Sequence, residues 1–250
     1  MINAIGIKTL YKKDVSRFMR VYNQTIIGPI INALIFFTIF TTLAHNNSSQ
    51  DNHLLLISGL TMMSIINAAY NNGIFLVVMK MTGNIIDFLT MPLTPNEVIF
   101  SLVSGSMTRA FMVGSLIYFS LSIYEMDFSC FNLLIIIIYT ISASLFCALV
   151  GLIGGLLFNN MEESSLIANY FITPLSFLSG TFYSISKLPI VFQKINLFNP
   201  FFYMIDGFRY GIFGFHEASL ALGLSMINGF NFLLWLFALW ILKSGYKIKK

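Results

Sequence analysis

Few side chains in this sequence are of a type that does chemistry, and their spacing argues against most reactions. Glu162 and Glu163 are an adjacent carboxylate pair. Neighbouring residues on a helix point about 100° apart, so the two cannot easily share a substrate, and a polar turn accounts for them equally well. His45, His53 and His216 are scattered, with no metal-ligand spacing among themselves or with a cysteine. Cys130 and Cys147 stand in apolar surroundings without Cys-x-x-Cys spacing, which reads as small buried hydrophobes. Neither H-E-x-x-H nor G-x-S-x-G occurs, and no histidine lies near a plausible Ser or Cys nucleophile. A phosphate-cradling G-x-x-x-x-G-K-[ST] loop is missing too: Gly151, Gly154 and Gly155 cluster with no lysine after them. Neither covalent catalysis nor nucleotide hydrolysis is expected of these residues.

Three stretches rise above that background. Residues 81–97 read MTGNIIDFLTMPLTPNE. A short amphipathic helix around Asp87 and Phe88 is stopped by Pro92 and Pro95, which lack the donor that a helix interior needs. Asn96 and Glu97 suit the first turn of a following helix, where an acid meets the positive end of the dipole. Such a braced helix can transmit a push from a soluble partner; an ordinary connecting loop is the alternative. Residues 184–217 are dense in Phe and Tyr, as at a membrane interface, and read as half-inserted short helices. Within them Asp206 and Arg209, three apart, can pair on one helical face, either as part of an exit gate or as a local salt bridge worth about 0–1 kcal/mol. Arg109 interrupts an otherwise apolar run, at a cost of about 2.5–3.5 kcal/mol at a helix centre. It either snorkels to the headgroups or turns inward, where Glu162 or Glu163 offers a partner.

The elements that must position these residues follow from composition. Of 250 residues, 57% are apolar and 10% charged, against roughly 25% charged in a soluble domain. A soluble exterior could not accommodate this, so the chain is expected to be an all-α membrane protein. About 20 apolar residues cross the hydrocarbon core. Runs of that kind place six transmembrane helices at about 21–43, 54–79, 102–124, 131–158, 166–186 and 219–242, with re-entrant outer helices before the last. Gly151-x-x-x-Gly155 and Gly207-x-x-x-Gly211 mark close helix contacts.

Six crossings leave both termini on one side. Eleven of the fourteen Lys and Arg residues fall on that side: Lys8, Lys12, Lys13, Arg17 and Arg20 before the first span, Lys80 and Arg109 near the second connection, and Lys243, Lys247, Lys249 and Lys250 at the end. The positive-inside rule makes that side cytoplasmic. No cleavable signal is expected, because the first 20 residues are charged throughout and the first apolar run is long enough to stay. Residues 1–20 instead form an amphipathic interfacial helix. Ile7, Leu10, Tyr11, Val15 and Phe18 share one face, with basic residues opposite and Asp14 intruding on the apolar side. Its basic face is suited to anionic lipid, and the helix is either a topology anchor or a surface for a cytoplasmic partner.

An energy source is hard to find in the chain. Ion-coupled carriers usually hold ionisable groups at membrane depth, and five of the six expected spans contain none. Power is therefore expected from another subunit. At this point a resemblance emerges. Asn199-Pro200-Phe201-Phe202-Tyr203-Met204-Ile205-Asp206-Gly207-Phe208-Arg209 fits the P-[apolar]-x-Y-x5-R pattern of the permease subunits of type-2 ATP-binding-cassette exporters, the group of polysaccharide and drug export permeases. Leu178-Ser179-Gly180 and Leu188-Pro189 fit the family's Ser-Gly and Leu-Pro marks, and Phe88-Leu89…Pro92-Leu93-Thr94-Pro95 is similar to its cytoplasmic loop. The resemblance covers nearly the whole chain. One departure is that Phe182-Tyr183 is followed by Ser184, where many members have proline, which bears on the shape of the outer turn.

The resemblance implies a single six-span permease domain over 21–250, working as a dimer in a bacterial inner membrane and docking two copies of a separate ATPase that carries ATP and Mg. No cofactor, metal or catalytic residue is implied in this chain, and no nucleic acid as partner. Asp87, Phe88, Pro92, Pro95 and Glu97 would couple to the ATPase. Gly180, Pro189, Pro200, Tyr203, Asp206 and Arg209 would form the outer gate, and Arg109, Glu162 and Glu163 the cytoplasmic one. Cargo would be a lipid-linked glycan, a lipid or a hydrophobic drug. Two other classes remain: a membrane scaffold or assembly factor without transport, and a membrane-embedded lipid-modifying enzyme.

Overall fold

The structure is a computed structural model that describes residues 3–43, 50–85, 91–126, 128 and 130–245. All regular structure among the described residues is helical. Helix α1 (Ala4–Arg20) starts where the Asn3 side chain accepts the Gly6 N–H, and it buries Leu10, Asp14 and Phe18, four apart, on one face. After a π-helical turn (Asn23–Ile27) come α2 (Gly28–Leu43), α3 (Gln50–Gly73) and its short continuation α4 (Phe75–Met81). The chain then forms α5 (Pro95–Glu125) and α6 (Leu133–Leu157). Next is a helical run of three pieces: α7 (Met161–Ile167), a π-helical segment (Ala168–Ile172) and α8 (Thr173–Leu178). Short α9 (Ile190–Asn196) and α10 (Pro200–Phe213) precede the last long helix, α11 (Leu220–Ser244).

Five helical segments are long and apolar enough to cross a membrane: Asn23–Thr42, His53–Met81, Pro95–Glu125, Leu133–Leu157 and Leu220–Ser244. They match the expected runs to within a few residues, except that α5 begins seven residues before the predicted 102. Pro95 explains the early start: at the first helical position its missing N–H costs nothing and its fixed φ is already helical. The expected span at 166–186 differs more. The helical run there begins at Met161 and ends at Leu178, and 179–184 is a turn, because Gly180 sits at φ +83°, a conformation that glycine takes without penalty. The fourteen residues of α10 reach only about 21 Å, short of the ~30 Å hydrocarbon core, yet most of them are buried.

Helix α3 is the centre of the bundle, flanked by α5 and α6. It runs antiparallel to α5: His53 faces Glu125, Ile65 fills the space beside Gly114, and Asn72 meets Ser106. It crosses α6 where Gly73 lies against Gly151 and Gly155, so close that a Cβ at Gly73 would fall 2.6 Å from the Leu152 nitrogen. A second tight crossing joins α10 to α6, with Gly207 under the Tyr139 ring and Gly211 against Ile136. Both glycine pairs singled out by spacing are thus helix contacts. Lys80 donates to the carbonyls of Leu156 and Phe158, satisfying the end of α6. At the margins, α2 and α11 are only 17% and 22% buried over their apolar windows.

Candidate functional site

Two polar clusters lie along α3, one at its end and one more than about two turns inside its start. At one end Asp14, on the buried face of α1, points into the bundle and is 4% exposed. A carboxylate there is costly unless it is answered by partners. Arg17 pairs with it at 2.8 Å, and Asn72 of α3 donates to it at 2.6 Å. Asn72 also bonds Ser106 of α5 (3.1 Å) and accepts from Arg17 (2.7 Å), while the Arg17 guanidinium lies 3.6 Å above the Phe75 ring. Gly105 leaves room for the carboxylate: a Cβ there would collide with Asp14. Tyr11 and Thr108 share a hydroxyl bond of 2.9 Å. Burial raises the Asp14 carboxyl above its ordinary value, against the opposing pull of Arg17 and Asn72, and burial likewise lowers Arg17.

Arg109 belongs to this end of the bundle. Its charged neighbours are Asp14 and Arg17 on α1, and its Nε is buried without a partner. The inward pairing with Glu162 or Glu163 is not formed among the described residues. Those two acids occupy the first turn of α7, where Glu163 accepts the Asn159 N–H (3.2 Å) and complements the helix dipole. The arginine lies instead within electrostatic reach of Arg17 and Asp14 on α1, and forms no ion pair within 4 Å among the described residues.

The residues expected to couple to a partner meet at the start of α5. Thr94 and Glu97 form a capping box, with the Glu97 carboxylate accepting from the Thr94 N–H (2.7 Å) and hydroxyl (2.8 Å). Its other oxygen takes the Asn3 N–H at 2.6 Å, and the Asn3 amide donates to the Pro92 carbonyl at 3.3 Å. Leu93 lies against Gly6. The connection and the start of α1 are therefore one unit. Asp87 and Phe88 lie outside the described residues.

The other cluster is built around Arg209, 1% exposed on α10. It donates to the Gly180 carbonyl (2.6 Å) and to Ser58 of α3 (3.4 Å), with the Glu217 carboxylate at 4.0 Å. The expected Asp206–Arg209 pair is not among the ion pairs of the described residues. Asp206 instead accepts the backbone N–H groups of Glu217 (2.8 Å) and Ala218 (3.0 Å), pinning the turn into α11, and so frees Arg209 for Glu217. Glu217 also accepts from the Ser184 hydroxyl (2.5 Å) and the Ile185 N–H. Pro189 and Pro200 start α9 and α10; Asn199 caps the latter and donates to Ser179 (2.8 Å). Tyr203 donates to the Leu197 carbonyl (3.0 Å) and packs its ring on Gly223. Gly180, Pro200, Tyr203, Asp206 and Arg209 thus frame one junction. Ser58 and Asn72 are fourteen residues apart on α3, which separates the two clusters by about 21 Å.

Neither cluster resembles a catalytic site. Among the described residues no three His, Cys, Asp or Glu side chains converge as a metal site would require. Each cluster has instead the form of a joint between a short helix and the long ones. Comparison with known proteins gives the context: residues 6–213 match the model of the family described as ABC-2 type transporter. The chain belongs to the ABC-2 type transporter family. The chain is 30% identical over 221 residues, 86% of either protein, to the inner membrane transport permease YadH of Escherichia coli K12. Its counterparts in Escherichia coli O157:H7 and Shigella flexneri match equally. This ABC-2 chain is accordingly a multi-pass membrane permease.

Several members of the clusters, Asn72, Ser58, Ser106 and Glu217 among them, escaped sequence reasoning. Asn72 and Ser58 lay inside a run read simply as charge-free, and Glu217 closed a segment read for its aromatics. The visible signal for Asn72 was an amide late in an apolar span, which needs an internal partner. Nothing in the spacing linked Glu217 to Arg209, eight residues earlier across a helix end.

Proposed function

We propose that this chain is the membrane half of an ATP-driven exporter in a bacterial inner membrane, with both termini cytoplasmic, working as a dimer with two copies of a separate ATPase. Membership of the ABC-2 family over residues 6–213 carries the reading. The eleven-to-three distribution of basic residues supports the orientation. In this reading 161–178 is a sixth crossing bent by its π-helical segment, and α9 and α10 are re-entrant helices at the outer mouth. The sparsely buried α2 and α11 are the faces available to lipid and to a second copy. Cargo is a lipid-linked glycan, a lipid or a hydrophobic drug.

The mechanism follows from the two joints. ATP and Mg are held by the partner ATPase. Closure of the paired ATPases pushes on α1 and on residues 81–97, which share Asn3, Pro92 and Glu97. The buried Asp14–Arg17–Asn72–Ser106 bonds pass that motion to α3 and α5. About four turns away on α3, Ser58 joins Gly180 in holding Arg209, so movement of α3 reaches α10 and the outer turn. The test is reconstitution with the ATPase. Replacing Pro92 and Pro95 with alanine should leave insertion intact and separate ATP hydrolysis from cargo movement; wild-type transport by that variant removes the coupling role.

A further inference from the structure

A cavity of about 560 Å³ lies where α1, α4 and α5 meet, beside the Asp14 joint. Its lining is divided. Lys13 and Arg20 of α1 supply its exposed cations, while Leu10 of α1, Val78 and Met79 of α4 and Leu102 of α5 supply an apolar wall, and the Arg17 guanidinium already covers the Phe75 ring. Asp14 is the acid among the lining residues, and its carboxylate is already engaged by Arg17 and Asn72. Lys13 and Arg20 are exposed, and among the described residues neither has a carboxylate within 4 Å.

We propose that this cavity binds the phosphate group of an anionic lipid, with the headgroup at Lys13 and Arg20 and the start of an acyl chain along the apolar wall. Two exposed cations with no carboxylate within 4 Å among the described residues, beside an apolar wall, set a joint requirement. Free phosphate would answer the cations and leave the wall facing water, which costs free energy in proportion to the apolar area. A zwitterionic lipid would cover the wall but bring its own cation to a site already positive. An anionic amphiphile meets both needs, and the volume lies within the roughly 300–1,000 Å³ of small-molecule sites. The position fits as well, because Arg17 and Arg20 lie in the last turn of an amphipathic helix, where positive charge favours the dipole and the headgroup layer alike. A lipid held here would bridge α1 to α4 beside the Asp14 joint, so its occupancy would set how firmly α1 is seated.

This inference does not depend on the exporter reading, and its test uses the full chain without an ATPase. Purified in neutral detergent, the chain is titrated separately with short-chain phosphatidylglycerol, short-chain phosphatidylcholine and inorganic phosphate. Native mass spectrometry and thermal stability report binding. Saturable phosphatidylglycerol binding is expected, weakened about ten- to thirtyfold in K13Q/R20Q, as for the loss of two surface cations. Each single substitution should give an intermediate loss. The charge-matched control K8Q/K12Q alters exposed lysines outside the cavity and should stay within about twofold of wild type. Equal loss in both double variants would mean general attraction to a basic helix and overturn the site. Phosphatidylcholine binding as tightly as phosphatidylglycerol would overturn it too. Inorganic phosphate binding as tightly as the lipid, with the same dependence on Lys13 and Arg20, would reject the lipid as occupant.

Discussion

A guanidinium that is 1% exposed must have its charge answered locally, and Arg209 finds the Gly180 carbonyl, the Ser58 hydroxyl and the Glu217 carboxylate. Removing one partner from such a site leaves an uncompensated charge, at a cost of about 3–5 kcal/mol. Arg209→Gln and Glu217→Ala should both lower the melting temperature of the detergent-purified protein sharply, and Arg209→Lys should recover only part of it, because an ammonium lacks the planar fork. Near-wild-type melting of Arg209→Gln would show that the cluster does not hold α10 in place. Asp14 makes the opposite kind of prediction. Its folded value is raised, so its ionised form is disfavoured by folding even with Arg17, Arg109 and Lys13 nearby. Protons then favour the folded state: stability from this group is full below the ordinary carboxylate value and is lost as pH rises through the raised one. Wild type should therefore gain in melting temperature relative to Asp14→Asn as pH falls from 7 toward 4, and a relative loss would contradict the sign.

Elements in this bundle are set by how closely their backbones approach. Gly207 lies under the Tyr139 ring, whereas Gly229, midway along α11, has no neighbour within 4 Å of where its Cβ would be. Gly207→Ala should overpack the α6–α10 crossing and destabilise by about 1–3 kcal/mol. Gly229→Ala should be neutral or stabilise by up to about 1 kcal/mol through helix propensity. Similar melting for the two variants would sink the claim that small residues fix this crossing. At the start of α5, Glu97 both caps the helix and ties down Asn3. Losing the cap alone costs about 1 kcal/mol. Glu97→Ala should in addition increase hydrogen exchange in the first turns of α1, an effect that a purely local cap would not produce.

For the whole molecule, the central fact is a long helix that carries two polar joints about four turns apart. α3 is bound to α1 through Asn72 and to α10 through Ser58, so a displacement of α1 has a mechanical route across the bundle. The chain alone, reconstituted in vesicles, should neither hydrolyse ATP nor move solute along a salt gradient, and ATP hydrolysis with ATP-dependent cargo movement should appear when the ATPase is added. Gradient-driven movement by the chain alone would end the exporter reading.

Much of this architecture was legible in the residue order. Runs of about twenty apolar residues can only be stable as membrane helices, because hydrocarbon cannot satisfy a free backbone. Hence five long helices were found close to where the apolar runs lie. The N-terminal amphipathic pattern, the acidic first turn at Glu97 and the paired glycines were local signals with local causes. Tertiary structure alone decided which charges meet. Asp206 turned to the backbone of 217–218 and Arg209 to Glu217 and Gly180, while Arg109 pairs with neither Glu162 nor Glu163 among the described residues. Spacing on one helix shows which side chains share a face, but a buried charge goes to whichever partner the packing of distant segments brings within reach.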